Sequence, residues 1–336
     1  MPSAARLREL IGKMPACRVV VAGDLMLDEF IWGRVSRISP EAPVPVVAVE
    51  RETSYPGGAA NVARNLRAFT PGVAVLGLSG NDDAGNRLRG LLAGGGIGTE
   101  AVVTRASGPT TVKTRIIART QQVVRVDREK SAPPTDSERA LLLEALGAAL
   151  HGCHALIIED YGKGLLDEAL AGEIVRRARA AGCLVAVDPN PGNPLPWHGV
   201  SVVKPNRQEA FAAAGVPASE PVPDPLQDAA LLKVGEALLK KWDTEQLLIT
   251  LSELGMLLMT RAGVRHHTPT RAREVFDVSG AGDTAIALHT LALCAGATPV
   301  EAAEIANHAS GVVVGKLGTA TLTPAELLSS FDDHAD

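Results

Sequence analysis

Residues 275–284 read Val-Phe-Asp-Val-Ser-Gly-Ala-Gly-Asp-Thr, an apolar lead followed by small residues and a carboxylate. The run after it, residues 284–293, has the character of a helix, so the glycines fall at a helix start. Backbone N–H groups there lack intrahelical partners and the macrodipole favours anions. Gly280, Ala281 and Gly282 therefore suit a cradle for a transferring phosphoryl group. Asp283 stands where it can take a proton from an attacking alcohol. Alone, the same residues also describe a turn with a helix cap, so the rest of the chain has to decide.

The elements that must position this turn follow from hydrophobic pattern. Residues 18–22 form a Val-rich run ending at Gly23-Asp24. That is a buried parallel strand delivering a polar residue at its C-terminal end, where ligands sit in open α/β sheets. Pro40, Pro43 and Pro45 interrupt residues 25–52, which places this part outside the main sheet. Gly57-Gly58-Ala59-Ala60-Asn61 opens a helix with small residues in its first turn. Residues 110–127 alternate as a hairpin, and its Lys113, Arg115, Arg119, Arg125 and Arg128 are dense for an acidic chain. Solvated charge on an exposed strand is the plain alternative for them. From residue 137 onward helical and strand patterns alternate, and Asn206 begins one of the helices. Alternation of this kind implies a mainly parallel sheet covered by helices on both faces.

Composition excludes several classes. The 336 residues carry a net charge of −5 with 46% hydrophobic residues, which suits a globular enzyme and not a nucleic-acid surface. Cys17, Cys153, Cys183 and Cys294 are widely spaced with no Cys-x-x-Cys pair, a poor disulfide or zinc framework and compatible with a reducing cytosol. The N-terminal residues read as an amphipathic helix and not as a signal peptide, and residues 285–297 are too short to span a bilayer. Gly311 to Lys316 invites comparison with a P-loop, but one residue is missing between the glycines and Leu317 replaces the magnesium-binding Ser/Thr.

Taken jointly, the Gly57–Asn61 and Asp277–Asp283 stretches resemble the two signatures of the ribokinase-like (PfkB) carbohydrate kinases, and the resemblance runs over roughly residues 18–328. It implies an α/β fold: a three-layer α/β/α sandwich with a mainly parallel sheet and a small β lid from residues 28–52 and 110–127, in a single kinase domain. It further implies Asp283 as base and Gly280, Ala281 and Gly282 as anion hole. Asp24, Gly57, Gly58 and Asn61 fall at sugar-binding positions, and Thr250, Gly255 and Asn307 at ATP-binding positions. Asn206 and Glu209 match an Asn-x-x-Glu element for magnesium, reached through water, and phosphate. Asp277, Ser279 and Gly318 lie where some members bind potassium.

A narrower resemblance rests on Arg37-Ile38-Ser39-Pro40-Glu41-Ala42-Pro43-Val44-Pro45-Val46, on Gln121-Gln122 with Arg125 and Asp127, on Asp160-Tyr161-Gly162-Lys163-Gly164, and on residues 311–319. These look like the kinase domain of the bacterial D-glycero-D-manno-heptose 7-phosphate kinases. That implies transfer of the ATP γ-phosphate to O1, giving the 1,7-bisphosphate used for ADP-heptose and lipopolysaccharide core. It makes Lys113, Arg115, Arg119 and Lys163 candidate partners for the phosphate already on the sugar. It implies a homodimer clasped through the β lids; with the charge, cysteine and N-terminal readings, the expectation is a cytoplasmic chain with neither nucleic acid nor membrane as partner and without the nucleotidyltransferase domain that often follows in those enzymes. Two positions depart from the pattern: Asn190 stands where Lys is usual, with Lys204 as a possible substitute, and Leu251 replaces a common Arg. The rival expectations are a kinase for ribose, fructose or fructose 6-phosphate, and a catalytically silent sugar-nucleotide sensor. The intact Asp283, Asn206 and Glu209 set disfavours the sensor.

Overall fold

The computed structural model describes residues 2–119, 121–271, 276–316 and 318–332. Val275 and Leu317, on which the readings of the glycine turn and of residues 311–319 also drew, lie outside the described residues. The strands are β1 (Arg18–Gly23), β2 (Leu25–Ile38), β3 (Pro45–Gly58), β4 (Gly72–Ser79), β5 (Gly98–Thr104), β6 (Thr111–Ala118), β7 (Gln121–Arg128), β8 (Ala155–Glu159), β9 (Leu184–Asp188), β10 (Val202–Val203), β11 (Gln246–Thr250), β12 (Met256–Thr260) and β13 (Arg265–Thr268). They form a nine-stranded sheet in the order β13-β12-β11-β10-β9-β8-β1-β4-β5 and a four-stranded sheet in the order β3-β2-β6-β7.

The large sheet is parallel from β5 to β11; at one edge β12 pairs antiparallel with β11 and β13 antiparallel with β12. Alternation along a strand sends successive side chains to opposite faces, and β1 shows both faces filled. Val19 and Val21 join one apolar cluster with Leu66, Leu288 and Ile305 of the helices Ala59–Arg67, Ala281–Cys294 and Pro299–Val314. Val20 and Ala22 join the other with Leu142, Ile174 and Leu238 of Asp136–Ala149, Glu168–Ala180 and Ala229–Lys241. The result is the three-layer α/β/α sandwich that the resemblance implies. β5 and β13 were not foreseen. No helix among the described residues is long and apolar enough to cross a membrane.

The second sheet contains the residues assigned to a lid, but with wider bounds. The β2–β3 ladder starts at Leu25↔Gly58, so pairing reaches back to the glycines at the helix start and extends beyond residues 28–52. Pairing continues because Gly58, at φ 60°, lets the chain pass Asp24: a Cβ there would stand 2.5 Å from the Asp24 carbonyl oxygen. β6 runs parallel to β2, and β7 forms the outer edge with every residue exposed.

Candidate active site

Four C-terminal strand ends and two helix starts bring groups around Asp283. Gly280 is the N-cap of Ala281–Cys294 in the left-handed region at φ 82°, and a Cβ there would approach Asn61 Nδ2 to 3.0 Å. Glycine is required twice over, by conformation and by space. The Ala281 N–H bonds the Val278 carbonyl and the Thr284 N–H bonds the Gly280 carbonyl. The N–H groups of Gly282 and Asp283, in the first turn between them, have no backbone acceptor among the described residues. These two N–H groups are open at the helix start expected to cradle an anion, whereas the Ala281 N–H is taken by the Val278 carbonyl.

Asp283 is half-buried and held from two sides. Asn61 Nδ2 donates to its Oδ2 at 2.7 Å and the Tyr161 hydroxyl donates to its Oδ1 at 2.7 Å. Asn61 Oδ1 accepts from Arg64 at 3.1 Å, so both ends of that amide are satisfied and its orientation is fixed. Burial raises the Asp283 pKa, and the bonds from Asn61 and Tyr161 oppose the rise. The carboxylate is thus a stronger base than a free Asp while its ionised form keeps two donors.

Tyr161 ties this carboxylate to Asp24, a position expected to bind sugar. Its backbone N–H donates to Asp24 Oδ2 at 3.0 Å, as does the Lys163 N–H, and the Leu165 N–H reaches Oδ1 at 3.3 Å. Burial drives the Asp24 pKa upward against those three bonds. Asp160 next to it is pushed up to about 6, by burial first and by Asp24 after its bond from Gly162.

On the opposite side Lys204, 3% exposed, donates to Asp188 Oδ2 at 2.8 Å. A Cβ on Gly282 would lie 3.4 Å from Lys204 Nζ, so the ammonium sits beside the open N–H groups. Its pKa is lowered by burial but raised overall by Asp188 and Glu159, and it stays charged. Asn190, whose Oδ1 accepts the Gly192 N–H at 2.8 Å, is occupied in its own loop. Lys204 is thus the cation placed beside Gly282, where Asn190 offers none.

A cleft of about 380 Å³ opens from this cradle and is lined by Thr250, Gly255, Ala281, Gly282, Asn307 and Val314. It brings the three positions expected for ATP together with the glycine turn, at a volume within the range of small-molecule sites. Asn307 Nδ2 is bonded to the Pro269 carbonyl at 2.7 Å, which fixes that wall. Leu251, buried at 5% exposure, packs into the core.

A family model described as pfkB family carbohydrate kinase matches residues 18–326. The chain belongs to the pfkB family of carbohydrate kinases. Curated relatives of this kinase include the bifunctional protein HldE of Paramagnetospirillum magneticum, 42% identical over 328 residues that cover 98% of this chain and 66% of that protein. The bifunctional protein HldE of Halorhodospira halophila is 46% identical over 312 residues, 92% of this chain and 62% of that protein. The kinase thus spans a little under two thirds of the length of these relatives. Among solved structures, phosphofructokinase-2 from Escherichia coli in complex with potassium superposes with a TM-score of 0.76 at 17% identity, covering 95% of this chain and 99% of that one. Arabidopsis thaliana ribokinase complexed with ribose and ATP gives 0.69 at 18% identity, covering 94% and 98%. At such identities the superpositions speak for the fold.

Not every expected site residue of the kinase joins the cluster. Asn206 and Glu209 form a reciprocal capping box, with Glu209 N–H to Asn206 Oδ1 at 2.9 Å and Asn206 N–H to Glu209 Oε2 at 2.7 Å. Glu209 Oε1 is left without a hydrogen-bond partner among the described residues. No group of three or more His, Cys, Asp or Glu among them can hold a metal ion. That donor set fits magnesium carried mainly by phosphate and water. Asp277 joins two loops by accepting from the Ser279 N–H at 2.9 Å and the Gly318 N–H at 3.2 Å.

The basic hairpin divides. Arg115 is spent on Asp28 at 2.5 Å and stacks over Phe30. Lys163 pairs with Glu129 at 2.8 Å. Arg119 lies exposed at the β6–β7 turn, six residues beyond Lys113 along the strand, or about 20 Å at roughly 3.3 Å per residue. Lys113 alone is half-buried with neither hydrogen bond nor ion pair among the described residues, and burial followed by repulsion from Lys163 lowers its pKa. Sequence reading missed Tyr161 as a site residue and missed Arg64, which also bonds the Thr319 carbonyl at 3.1 Å. Arg64 lies three residues after Asn61, one turn along the same helix face, and that spacing was the available signal.

Proposed function

We propose that this kinase transfers the γ-phosphate of ATP to the anomeric hydroxyl of a heptose 7-phosphate. The observation that carries the reading is Lys113, an unpaired, half-buried ammonium next to that of Lys163. Two like charges held together out of water favour an anionic guest, and a substrate already bearing a phosphate supplies one. A neutral sugar would leave Lys113 uncompensated, since Glu129 already serves Lys163.

Asp283, oriented by Asn61 and Tyr161, takes the proton from the attacking hydroxyl. The Gly282 and Asp283 N–H groups with the Lys204 ammonium stabilise negative charge on the phosphoryl group in flight. Asp24, pinned by the 161–165 loop, orients the sugar ring. Glu209 Oε1 and Asn206 would hold a magnesium ion through water, which would supply charge neutralisation on the ATP phosphates. A potassium ion would draw on the Asp277 carboxylate between its two loops. The second sheet acts as lid, and its exposed Val49, Val123, Val124 and Val126 suit pairing with the lid of a second copy.

ADP release measured over heptose 7-phosphate, ribose, fructose and fructose 6-phosphate, each in potassium and in sodium, tests the substrate and the ion together. Heptose 7-phosphate should give the highest kcat/KM, and Lys113→Ala should raise its KM about tenfold or more, the scale of one charge-assisted contact. Preference for a neutral sugar would overturn the substrate assignment, and no turnover with any sugar would favour the silent sensor. Equal rates in the two salts would remove the potassium site. Sedimentation should show a dimer that Val124→Asp converts to monomer; a wild-type monomer would sink the lid-to-lid assignment.

A further inference from the structure

β8 ends on a carboxyl that none of the chemistry above employs. Glu159 is 1% exposed, and both of its carboxylate oxygens are buried without a hydrogen-bond partner among the described residues. The parallel registers set it beside Gly23 of β1 and Asp188 of β9. Gly23 offers no side chain, and a Cβ there would collide with Glu159 Cβ at 2.8 Å. On the β9 side stands Asp188, whose carboxylate is taken by Lys204. Asp283 faces Glu159 from the helix Ala281–Cys294, and Asp160 and Tyr161 from its own loop. Lys204 is the one cation among these groups, against four carboxyls.

We infer that Glu159 lies under the active site as a neutral acid and is a positioning residue for phosphoryl transfer. Its neutrality leaves the Lys204 charge available to the anion cradle, and its ionisation at high pH shuts the site to the phosphates. The inference rests on the kinase reading and deepens it. An isolated carboxylate without donors is among the costliest groups to bury, whereas its protonated form loses far less hydration. The tendency agrees: burial first, then Asp188 and Asp283, drives the Glu159 pKa well above the usual carboxylate range. Ionised, Glu159 would compete with incoming phosphate for Lys204 and would repel it directly.

The test compares Glu159→Gln, which keeps shape and neutrality, with wild type across pH. At pH 6.5 the two should turn over within about twofold of each other. Above that, wild-type kcat should fall on an alkaline limb that Glu159→Gln lacks or meets at least one pH unit later, while KM for ATP rises only in wild type. A second readout needs no turnover. Unfolded Glu titrates near about 4.3, and folded Glu159 higher, so folded protein holds the extra proton and loses stability as pH rises through that window. The Tm advantage of Glu159→Gln over wild type should therefore widen from pH 5 to pH 8. Glu159→Met, neutral without an amide, should show the same widening and guards against a misfit of the Gln side chain. Parallel Tm curves would overturn the neutral acid, and a shared alkaline limb would overturn the positioning role. Failure to phosphorylate any sugar would strike the kinase reading, and the Tm series would still judge Glu159.

Discussion

Replacing Asp283 with Asn should slow sugar phosphorylation by at least about a hundredfold, the lower end of what a positioned general base supplies. The size of the loss has two sources. Asn has no basic oxygen to take the hydroxyl proton, and its amide meets two donors, Asn61 Nδ2 and the Tyr161 hydroxyl. Its oxygen can accept from Asn61 while its NH2 meets the Tyr161 hydroxyl, which must then reverse and accept, so the hydrogen bonds around the reacting position change along with the loss of the base. KM for ATP should change little, because the cleft walls at Thr250, Gly255 and Asn307 are untouched. Thermal stability should hold or rise slightly, since burial penalises the ionised Asp283 and Asn removes the charge. Steady-state kinetics with a melting curve separate these outcomes. Near-normal kcat in the variant would sink the assignment of Asp283 as base.

What could be read in the sequence was whatever leaves a local signal. The Val19–Ala22 run announces a strand buried on both faces, and the Gly280–Asp283 turn announces an anion cradle, because backbone demands select residue types within a few positions. β13 was invisible for the opposite reason. Its Arg265-His266-His267-Thr268 lies at a sheet edge with half-exposed side chains, so nothing forces an apolar alternation. β5 opens with Gly98-Thr99-Glu100, which carries no apolar run although it pairs at the other edge. The Asn206-x-x-Glu209 spacing was legible but ambiguous, since a capping box and a metal-and-phosphate element ask for the same two residues, and the structure shows the first geometry directly.

Contacts across the fold were out of reach. The bond from Tyr161 to Asp283 joins residues 122 positions apart, and Lys204 reaches Gly282 only because β10 ends beside the helix Ala281–Cys294. Charge pairing likewise had to be seen in three dimensions. Lys113 and Arg115 look equivalent on the hairpin, yet Asp28 neutralises Arg115 while Lys113 is left unpaired among the described residues. That difference singles out Lys113 as the hairpin cation left for the proposed sugar phosphate.

The second large effect is expected at Lys204. Lys204→Met keeps much of the side-chain volume and removes the charge, and it should lower kcat by about a hundred- to a thousandfold, the scale of losing one preorganised donor to a developing anion. The same change leaves Asp188 without its partner at 2.8 Å and Glu159 and Asp283 without the nearest cation. Breaking a buried pair from one side costs about 3–5 kcal/mol, so the Tm should fall markedly. The two losses respond differently to pH. Burial raises the Asp188 pKa even with Lys204 present, and Lys204 opposes that rise; without Lys204 it must rise further. A folded carboxyl with a raised pKa costs stability as pH increases, so the variant's Tm deficit should be smaller at pH 5, where Asp188 can take a proton, than at pH 8. Turnover should not recover on acidification, because a proton on Asp188 restores no cation beside Gly282. Lys204→Arg keeps the charge and should regain stability more fully than turnover, as a planar guanidinium cannot place a point charge where the ammonium stood. Recovery of kcat in Lys204→Met at pH 5 would show that Lys204 acts through Asp188 alone and would remove it from the anion cradle.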